Sequence, residues 1–209
     1  MRRSQLVLVV LASALVGSGL TLVFGRVDEG RDKAAAHLEV DEKFVRHMEG
    51  APAGTYSSIL LPACVKGGSE ARITSVRLHR SSDNVRLREF AIGAPGYVWG
   101  DTARMPLKRF IDSRGHGSTS PLSTLLQAPC ASSPDAYDRR PIVLELAYTD
   151  ASRTGAVTGA EVEFTVNGHH HTVHASNGVT FCTGRETSAS LEALAQQLDV
   201  EPDDLGCEV

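Results

Sequence analysis

The sequence has no excess of positive charge. Its 21 lysines and arginines are outnumbered by 25 aspartates and glutamates, and the net charge is −4. Acidic and basic residues are dispersed along the chain rather than gathered in one stretch. A protein that binds nucleic acid carries a basic patch or stripe. Nucleic acid is therefore not an expected partner.

Cysteine is rare, and none of the four cysteines lies in a C-x-x-C or another zinc-binding spacing. The even, widely spaced set of Cys64, Cys130, Cys182 and Cys207 is typical of disulfides, and four buried free thiols are the alternative. Three pairings are possible. We favour Cys64–Cys130 with Cys182–Cys207, because the second bridge would tie a C-terminal helix to the last strand. Disulfides need an oxidising compartment, which places this domain outside the cytoplasm.

The sequence also lacks a catalytic motif on a suitable scaffold. Asp112, His116 and Ser118 offer the residue types of a catalytic triad, but they lie together in one Gly- and Ser-rich stretch. Triads are held in place by separate, rigid elements of a fold. A strand–Gly-x-Ser-x-Gly–helix turn is absent too. We therefore interpret this stretch as a solvated loop and expect a protein that is not an enzyme and needs no cofactor.

Only one long apolar run occurs, at residues 6–25, and no charged residue interrupts it. About 20 residues at ~1.5 Å each span ~30 Å, the thickness of a bilayer core. Arg2 and Arg3 precede the run, as in a signal peptide or an N-terminal anchor. No cysteine follows it, which does not fit a lipoprotein, and cleavage at residues 34–36 would leave a long charged spacer. We therefore predict an uncleaved signal anchor, a single-pass transmembrane helix, over residues 1–25.

Residues 26–54 predict a charged juxtamembrane segment, helical as far as Gly50, followed by a linker at residues 51–54. The extracytoplasmic domain is then expected over residues 55–209. Alternating apolar residues predict strands at 72–79 and 85–92, and apolar runs predict strands at 59–65 and 142–149. Residues 93–141 are rich in Gly, Pro and Ser and contain the only tryptophan, Trp99. A connection this long is expected to cross between sheets, to bind something or to be stapled, and Cys130 offers a staple.

The strongest local signal is Asn167-Gly168, which joins two alternating segments and predicts a β-hairpin, because both turn residues accept positive φ. In this register Val166 lies opposite His169, and Glu161 lies opposite His174. Cross-strand partners share a face. The mostly apolar face then comprises Val162, Phe164, Val166, His169, His171 and Val173. The polar face comprises Glu161, Glu163, Thr165, His170, Thr172 and His174.

The histidines of this hairpin are candidate metal ligands. His170 and His174 lie four residues apart, ~13 Å along a strand, which is too far to share an ion. His169 and His171 are ~7 Å apart and could chelate zinc or copper(II) with a third ligand such as His79 or His116. The alternative is a polar hairpin tip whose histidines pair with Glu161 and Glu163. We favour the latter interpretation.

A C-terminal helix is predicted after Ser188, its expected N-cap, because Leu191, Leu194, Ala195 and Leu198 repeat with helical spacing. Pro202 bars its continuation. Residues 190–205 are similar to the first helix and turn of a bacterial helix-turn-helix, but no recognition helix follows. A helix that caps the domain is the better interpretation. Six or seven strands and one terminal helix together predict a mainly β fold, an antiparallel, immunoglobulin-like β-sandwich.

Val-Glu-Phe-Thr-Val at residues 162–166, the glycine turn after it, and Val-Thr-Phe-Cys at residues 179–182 carry a resemblance. Over residues 71–182 the chain resembles small uncharacterised envelope proteins of high-GC Gram-positive bacteria. Those proteins look like membrane-anchored or lipidated β-sandwich domains without an assigned activity. The resemblance implies location and fold, and it carries over no functional residue. The cysteine-bearing tail after Cys182 departs from that pattern.

These observations predict a binding or structural module of the cell envelope, anchored in the cell membrane with its C-terminal domain outside the cytoplasm. Its expected partner is another envelope protein or a cell-wall component that meets the connection at residues 93–141. The alternative is an envelope metal-binding protein that uses His169 and His171.

Overall fold

The computed structural model describes residues 37–40, 45–93, 102–113, 124–130 and 139–209. These residues belong to one compact unit, Asp32–Val209. Within them the chain is mainly β, as predicted, with two sheets and two α-helices. No helix in these ranges is both long and apolar enough to cross a bilayer. The predicted anchor at residues 1–25 lies outside them.

Strands supply most of the regular structure. In chain order they are β1 (His37–Val40), β2 (Val45–Met48), β3 (Gly54–Lys66), β4 (Ala71–Ser81), β5 (Val85–Ile92), β6 (Thr102–Ala103), β7 (Leu125–Leu126), β8 (Arg140–Tyr148), β9 (Gly155–Val166), β10 (His169–Ala175) and β11 (Gly178–Phe181). The helices are α1 (Leu107–Ser113) and α2 (Ser188–Leu198), and a 3₁₀ turn follows at Pro202–Leu205.

The described strands form two sheets. One has the order β1-β3-β8-β5, with the short β6 added to β3. The other has the order β2-β11-β9-β4-β7, with β10 added to β9. Buried side chains from both sheets form one apolar core, with Tyr56 and Leu144 from the first sheet and Phe164 and Phe181 from the second. This arrangement is that of a β-sandwich, the natural way to bury one face of each sheet.

The described residues between 37 and 48 are strands, so the predicted juxtamembrane helix is wrong there. β1 pairs antiparallel with β3, and β2 pairs parallel with β11. The two sheets therefore take in residues that precede the predicted start at residue 55. The sequence signal is weak because each of these strands has four residues, too few to show a period. Their pairing partners lie far away along the chain.

The long connection crosses between the sheets and is stapled, as predicted. Its β6 pairs with β3 of one sheet, and its β7 pairs with β4 of the other. Between them, α1 buries Leu107 and Phe110 in a small cluster with Val143 of β8. The carboxylate of Glu145, also on β8, accepts the backbone N–H of Leu107 at 2.6 Å and so caps the start of α1.

Both disulfides form, with the favoured pairing. Cys64 on β3 is bonded to Cys130, which lies 66 residues further along the chain. Cys182, directly after β11, is bonded to Cys207 in the C-terminal tail. The second bridge ties the tail that carries α2 to the end of the last strand, which is the reason for which this pairing was favoured.

The C-terminal helix packs through the predicted residues. Leu191, Leu194, Ala195 and Leu198 are buried, and they form a second, smaller core with Ala156 of β9 and Leu205. The N-cap is Thr187 rather than the predicted Ser188. The Thr187 side chain accepts the backbone N–H of Ser190, and the Ser190 side chain accepts that of Thr187, which makes a capping box.

Candidate functional site

The β9–β10 hairpin has the predicted register throughout, from Val166 opposite His169 to Glu161 opposite His174. Asn167 and Gly168 both adopt positive φ, at 50° and 80°, as the turn requires. Val162, Phe164 and Val166 are buried, whereas Thr172 and His174 are exposed. The hairpin therefore turns one face to the core and leaves the other to solvent.

The exposed face of the six-stranded sheet carries a cluster of charged and imidazole side chains. We call it the histidine–glutamate patch and define it by Arg77 and His79 of β4, Glu161 and Glu163 of β9, and His174 of β10. These residues meet because β9 lies between β4 and β10 in the sheet. Arg77 pairs with Glu161 in the β4–β9 register, and Glu161 pairs with His174 in the β9–β10 register.

Arg77 joins the two glutamates of the patch. Its Nη2 donates to Glu161 Oε1 at 2.6 Å and also contacts Glu163 Oε1. The hydrogen bond from Arg77 lowers the pKa of Glu161 below its ordinary value, against the opposing effect of desolvation. The charges of Arg77, and those of His174 and His79 when protonated, lower it further. Glu161 is therefore an anionic carboxylate at neutral pH.

The other oxygen of Glu161 faces His174. Glu161 Oε2 lies 3.8 Å from His174 Nε2. The ring of His79 meets the ring of His174 edge-on, with centroids 5.8 Å apart. In the pairing of β4 with β9, His79 lies opposite Gly159. Because glycine has no side chain, β9 places no side chain between the two rings at this position. A Cβ at Gly159 would collide with the carbonyl oxygen of Ala175, so glycine is also required for the backbone to pack there.

A groove of about 810 Å³ lies beside the two imidazoles. His79 and His174 line it from the sheet, and Asp199, Glu201 and Asp204 line it from the end of α2 and the 3₁₀ turn. Asp199 is the C-cap of α2, and Arg80 binds it with an Nη2···Oδ2 distance of 2.7 Å. This surface offers imidazole nitrogens and carboxylate oxygens to a small cation or a polar ligand.

Among the described residues, His79 does not join His169 and His171 in a group of three ligand atoms. His171 stacks on the buried Phe164, with ring centroids 5.3 Å apart, and His169 is exposed beside the turn. His79, a predicted third ligand, contacts His174 instead, on the opposite face of the hairpin. The other predicted third ligand, His116, lies outside the described residues.

Within the described ranges, one group of three potential ligand atoms lies within 4.8 Å of one another: Glu49, Cys182 and Cys207. The two sulfurs of this group are bonded to each other, so they are not thiolate ligands.

Of the discounted triad the structure describes only Asp112, which lies on the helix α1 rather than in a loop, so the loop interpretation is wrong for that residue. Asp112 is the partner of Lys108 on α1, with Nζ and Oδ2 2.8 Å apart. His116, Ser118 and the tryptophan Trp99 lie outside the described residues.

A second polar region holds the start of α2 against the sandwich. The carboxylate of Glu186, a buried residue, accepts hydrogen bonds from Thr154 Oγ1 at 2.6 Å, from the Thr183 backbone N–H, and from the Arg185 backbone N–H at 2.9 Å. Burial raises the pKa of Glu186, but hydrogen bonds, foremost those from Thr154 and Thr183, outweigh it, and the pKa lies below its ordinary value. Its hydrogen bonds tie two loops together, so its role is structural.

The contact between His79 and His174 was not predicted from the sequence. A strict alternation along β4 would place Ile73 on the same side as Arg77 and His79. The β4–β9 register shifts between Ile73 and Ser75, so Ile73 is buried while Arg77 and His79 are exposed. The pairing of β4 with β9 spans nearly half of the chain, and no local pattern specifies it. The clean polar face of β9 and β10 was the signal that this side of the sheet is exposed.

No protein-family model matches this chain, and no match was found among curated proteins.

Proposed function

We propose that this chain is an extracytoplasmic binding or structural module of the cell envelope. The observation that carries the proposal is the pair of disulfides, which uses all four cysteines of the chain. Such bonds persist in oxidising compartments and are rare in the cytoplasm. Each bridge joins a sandwich strand or its end to a distant segment, so oxidation is part of how this domain is held together.

The apolar run at residues 6–25 supports an anchor in the cell membrane. Its length matches a bilayer core, and Arg2 and Arg3 flank it on one side. With this anchor the chain is a single-pass membrane protein whose domain stands outside the cytoplasm. The likeness to anchored or lipidated envelope proteins supports the same location.

An immunoglobulin-like strand order supports the role of a module. One sheet has the order β1-β3-β8-β5, the other has β9 between β11 and β4, and the N-terminal β1 and β2 divide between the two. This resembles the ABED and GFC sheets of immunoglobulin-like domains. Domains of this kind present loops and exposed sheet faces to partners. We propose another envelope protein or a cell-wall component as the partner, met through the connection at residues 93–141, without catalysis.

Topology reporters on the full-length chain test this proposal. A reporter that is active only outside the cytoplasm, fused after Val209, should be active, and the fusion should keep its full mass. The denatured, unreduced protein should react with no maleimide, because all four cysteines are bonded. Activity of a cytoplasm-only reporter, or four reactive thiols, would refute the location. Release of a soluble form cut near residue 36 would refute the anchor alone.

A further inference from the structure

The histidine–glutamate patch places two imidazoles and a carboxylate from three different strands next to one another. His79, Glu161 and His174 are contributed by β4, β9 and β10, so the sheet itself fixes their backbone positions. Two groups on paired strands are held more firmly than groups on a loop. We propose that His79, His174 and Glu161 form a binding site for one divalent transition-metal ion, zinc or copper(II).

The spacing of the rings fits a shared ion. Imidazole nitrogens bind zinc at ~2.0–2.1 Å, so two imidazoles on one ion have their ring centroids roughly 5 to 6 Å apart. The centroids of His79 and His174 are 5.8 Å apart. The rings meet edge-on, at 68° to each other. A modest rotation of the side chains then directs one nitrogen of each ring at a common point.

Glu161 supplies the third ligand. Its Oε1 is occupied by Arg77, which leaves Oε2 as the oxygen that faces His174, at 3.8 Å from Nε2. The hydrogen bond from Arg77 orients the carboxylate, as the outer partners of metal ligands do in proteins. The three ligand atoms close on an ion only after the rotation, because they are not yet within 4.8 Å of one another. The His174 side chain is 63% exposed, so solvent leaves it room to turn.

The charge of the neighbouring groove favours a cation. Asp199, Glu201 and Asp204 line it opposite the two histidines. The C-terminal end of α2, where Asp199 is the C-cap, adds the partial negative charge of the helix dipole. Arg80 offsets the charge of Asp199 by binding it, and Arg77 offsets part of the charge of Glu161. Neutral imidazole and carboxylate together are the ligands that zinc and copper(II) accept.

The site differs from the one suggested by the sequence, which used His169 and His171. His171 is engaged with Phe164 on the core-facing side of the hairpin. The two pairs of histidines therefore lie on opposite faces and can be removed independently. The proposal goes beyond the function proposed above and does not depend on a membrane anchor.

The test is a metal titration of the full-length chain, purified in detergent without a polyhistidine tag. Isothermal titration with zinc chloride should show one site per chain. Titration with copper(II) should give an electron paramagnetic resonance spectrum with the hyperfine pattern of two imidazole nitrogens. The double variant His79→Asn/His174→Asn should lose this site. The matched variant His169→Asn/His171→Asn also removes two imidazoles and should retain the site with unchanged affinity.

The two glutamates of the patch give a second matched pair. Both accept Arg77, but only Glu161 faces His174. Loss of a residue that hydrogen-bonds to a metal ligand weakens metal binding about 10- to 100-fold. Loss of a ligand itself should have at least as large an effect, so Glu161→Gln should weaken metal binding at least ~tenfold. Glu163→Gln should leave the affinity unchanged. If the double variant misfolds, the single variant His79→Asn replaces it. His79 is exposed, so this variant should fold, as circular dichroism can check, and it should lose the site.

Three results would overturn the proposal. One is the absence of a zinc or copper(II) site in the wild-type chain. Another is a site that survives His79→Asn in folded protein. The third is a site that is lost in His169→Asn/His171→Asn but kept in His79→Asn/His174→Asn, which would assign it to the opposite face.

Discussion

Among the described residues, the main core and the small core around α2 are built in different ways. The main core lies between the sheets, where the ring of Phe181 packs against Tyr56 and Tyr148 with centroid distances of 4.8 Å to each. Its three rings come from β11, β3 and β8. The small core gathers residues of α2 and of the following turn around Ala156. One core depends on strands brought together from the whole chain, and the other depends mainly on neighbours in sequence.

The two cores meet on adjacent residues. Ala156 packs into the small core, and its neighbour Val157 packs into the main one. In the same way Phe181 fills the main core, and the next residue, Cys182, holds the tail through its disulfide. The small core therefore packs against the sandwich, and its position depends on the sandwich being folded. The main core should survive the loss of the small one, but the reverse should not hold.

The largest effect that separates the two cores is expected from Phe181→Ala. Removal of a buried aromatic ring typically costs about 3–5 kcal/mol, and the cavity here would lie between two tyrosines. Urea unfolding followed by circular dichroism should show the whole domain destabilised by this amount. Leu198→Ala is the matched change in the small core and should cost about 2–3 kcal/mol. Hydrogen exchange should show its effect confined to α2 and the tail; equal loss of protection in both cores would contradict the comparison.

The disulfides should show the same division with an effect of similar size. In the loop-closure model, the 66-residue separation of Cys64 and Cys130 contributes about 4 kcal/mol, and the 25-residue separation of Cys182 and Cys207 contributes about 3.5 kcal/mol. Cys64→Ala/Cys130→Ala should lower the stability of the whole sandwich. Cys182→Ala/Cys207→Ala should mainly release the tail, seen as faster proteolysis after residue 182. A sandwich that unfolds equally in both variants would mean that the small core is not a separate unit.

The smallest effect is expected at the junction, from Glu186→Gln. Glutamine cannot accept both the Thr183 and the Arg185 backbone N–H groups as the carboxylate does, so the loss should be about 1–3 kcal/mol at pH 7. The pKa of Glu186 is lowered in the folded protein. Its contribution to stability is therefore fully present above the unfolded pKa, ~4.3, and is lost as the pH falls through the lower folded pKa.

This pH dependence can be measured directly. The difference in unfolding free energy between wild type and Glu186→Gln should shrink as the pH is lowered from 7 to 3. The subtraction cancels carboxylates that titrate equally in both proteins. A difference that is the same at both pH values would show that the charge of Glu186 does not act at this junction.

Sequence patterns predicted the local features of this fold well. The register of β9 with β10 follows from Asn167-Gly168, because a two-residue turn leaves no freedom in pairing. The apolar face of α2 follows from its helical spacing. In both cases the interacting residues are near one another in the chain. The cysteine pairing followed from a similar argument for the bridge near the C-terminus.

Non-local features were beyond such patterns. The bulge of β4 between Ile73 and Ser75 has no signature in the residues themselves, and it decides which side chains join the patch. β1 and β2 form strands because they pair with β3 and β11. Their own sequence, at residues 37–48, instead predicts a charged, partly helical segment. For the same reason the sequence grouped His79 with His169 and His171, whereas in the structure its ring contacts His174. Tertiary pairing outweighs local propensity at each of these positions.

The parallel pairing of β2 with β11 also bears on the order in which the chain can fold. β2 begins at Val45, whereas β11 is Gly178–Phe181, close to the C-terminus. β2 can pair with the sheet only after β11 has formed. β2 is therefore among the last strands to pair, although it is among the first in the chain. Folds dominated by such distant pairs form slowly, because loops must close before contacts stabilise them. During synthesis from the N-terminus, the sheet would therefore stay incomplete until nearly the whole chain has been made. Once β11 has formed, its edge is exposed to pairing with other chains until β2 covers it.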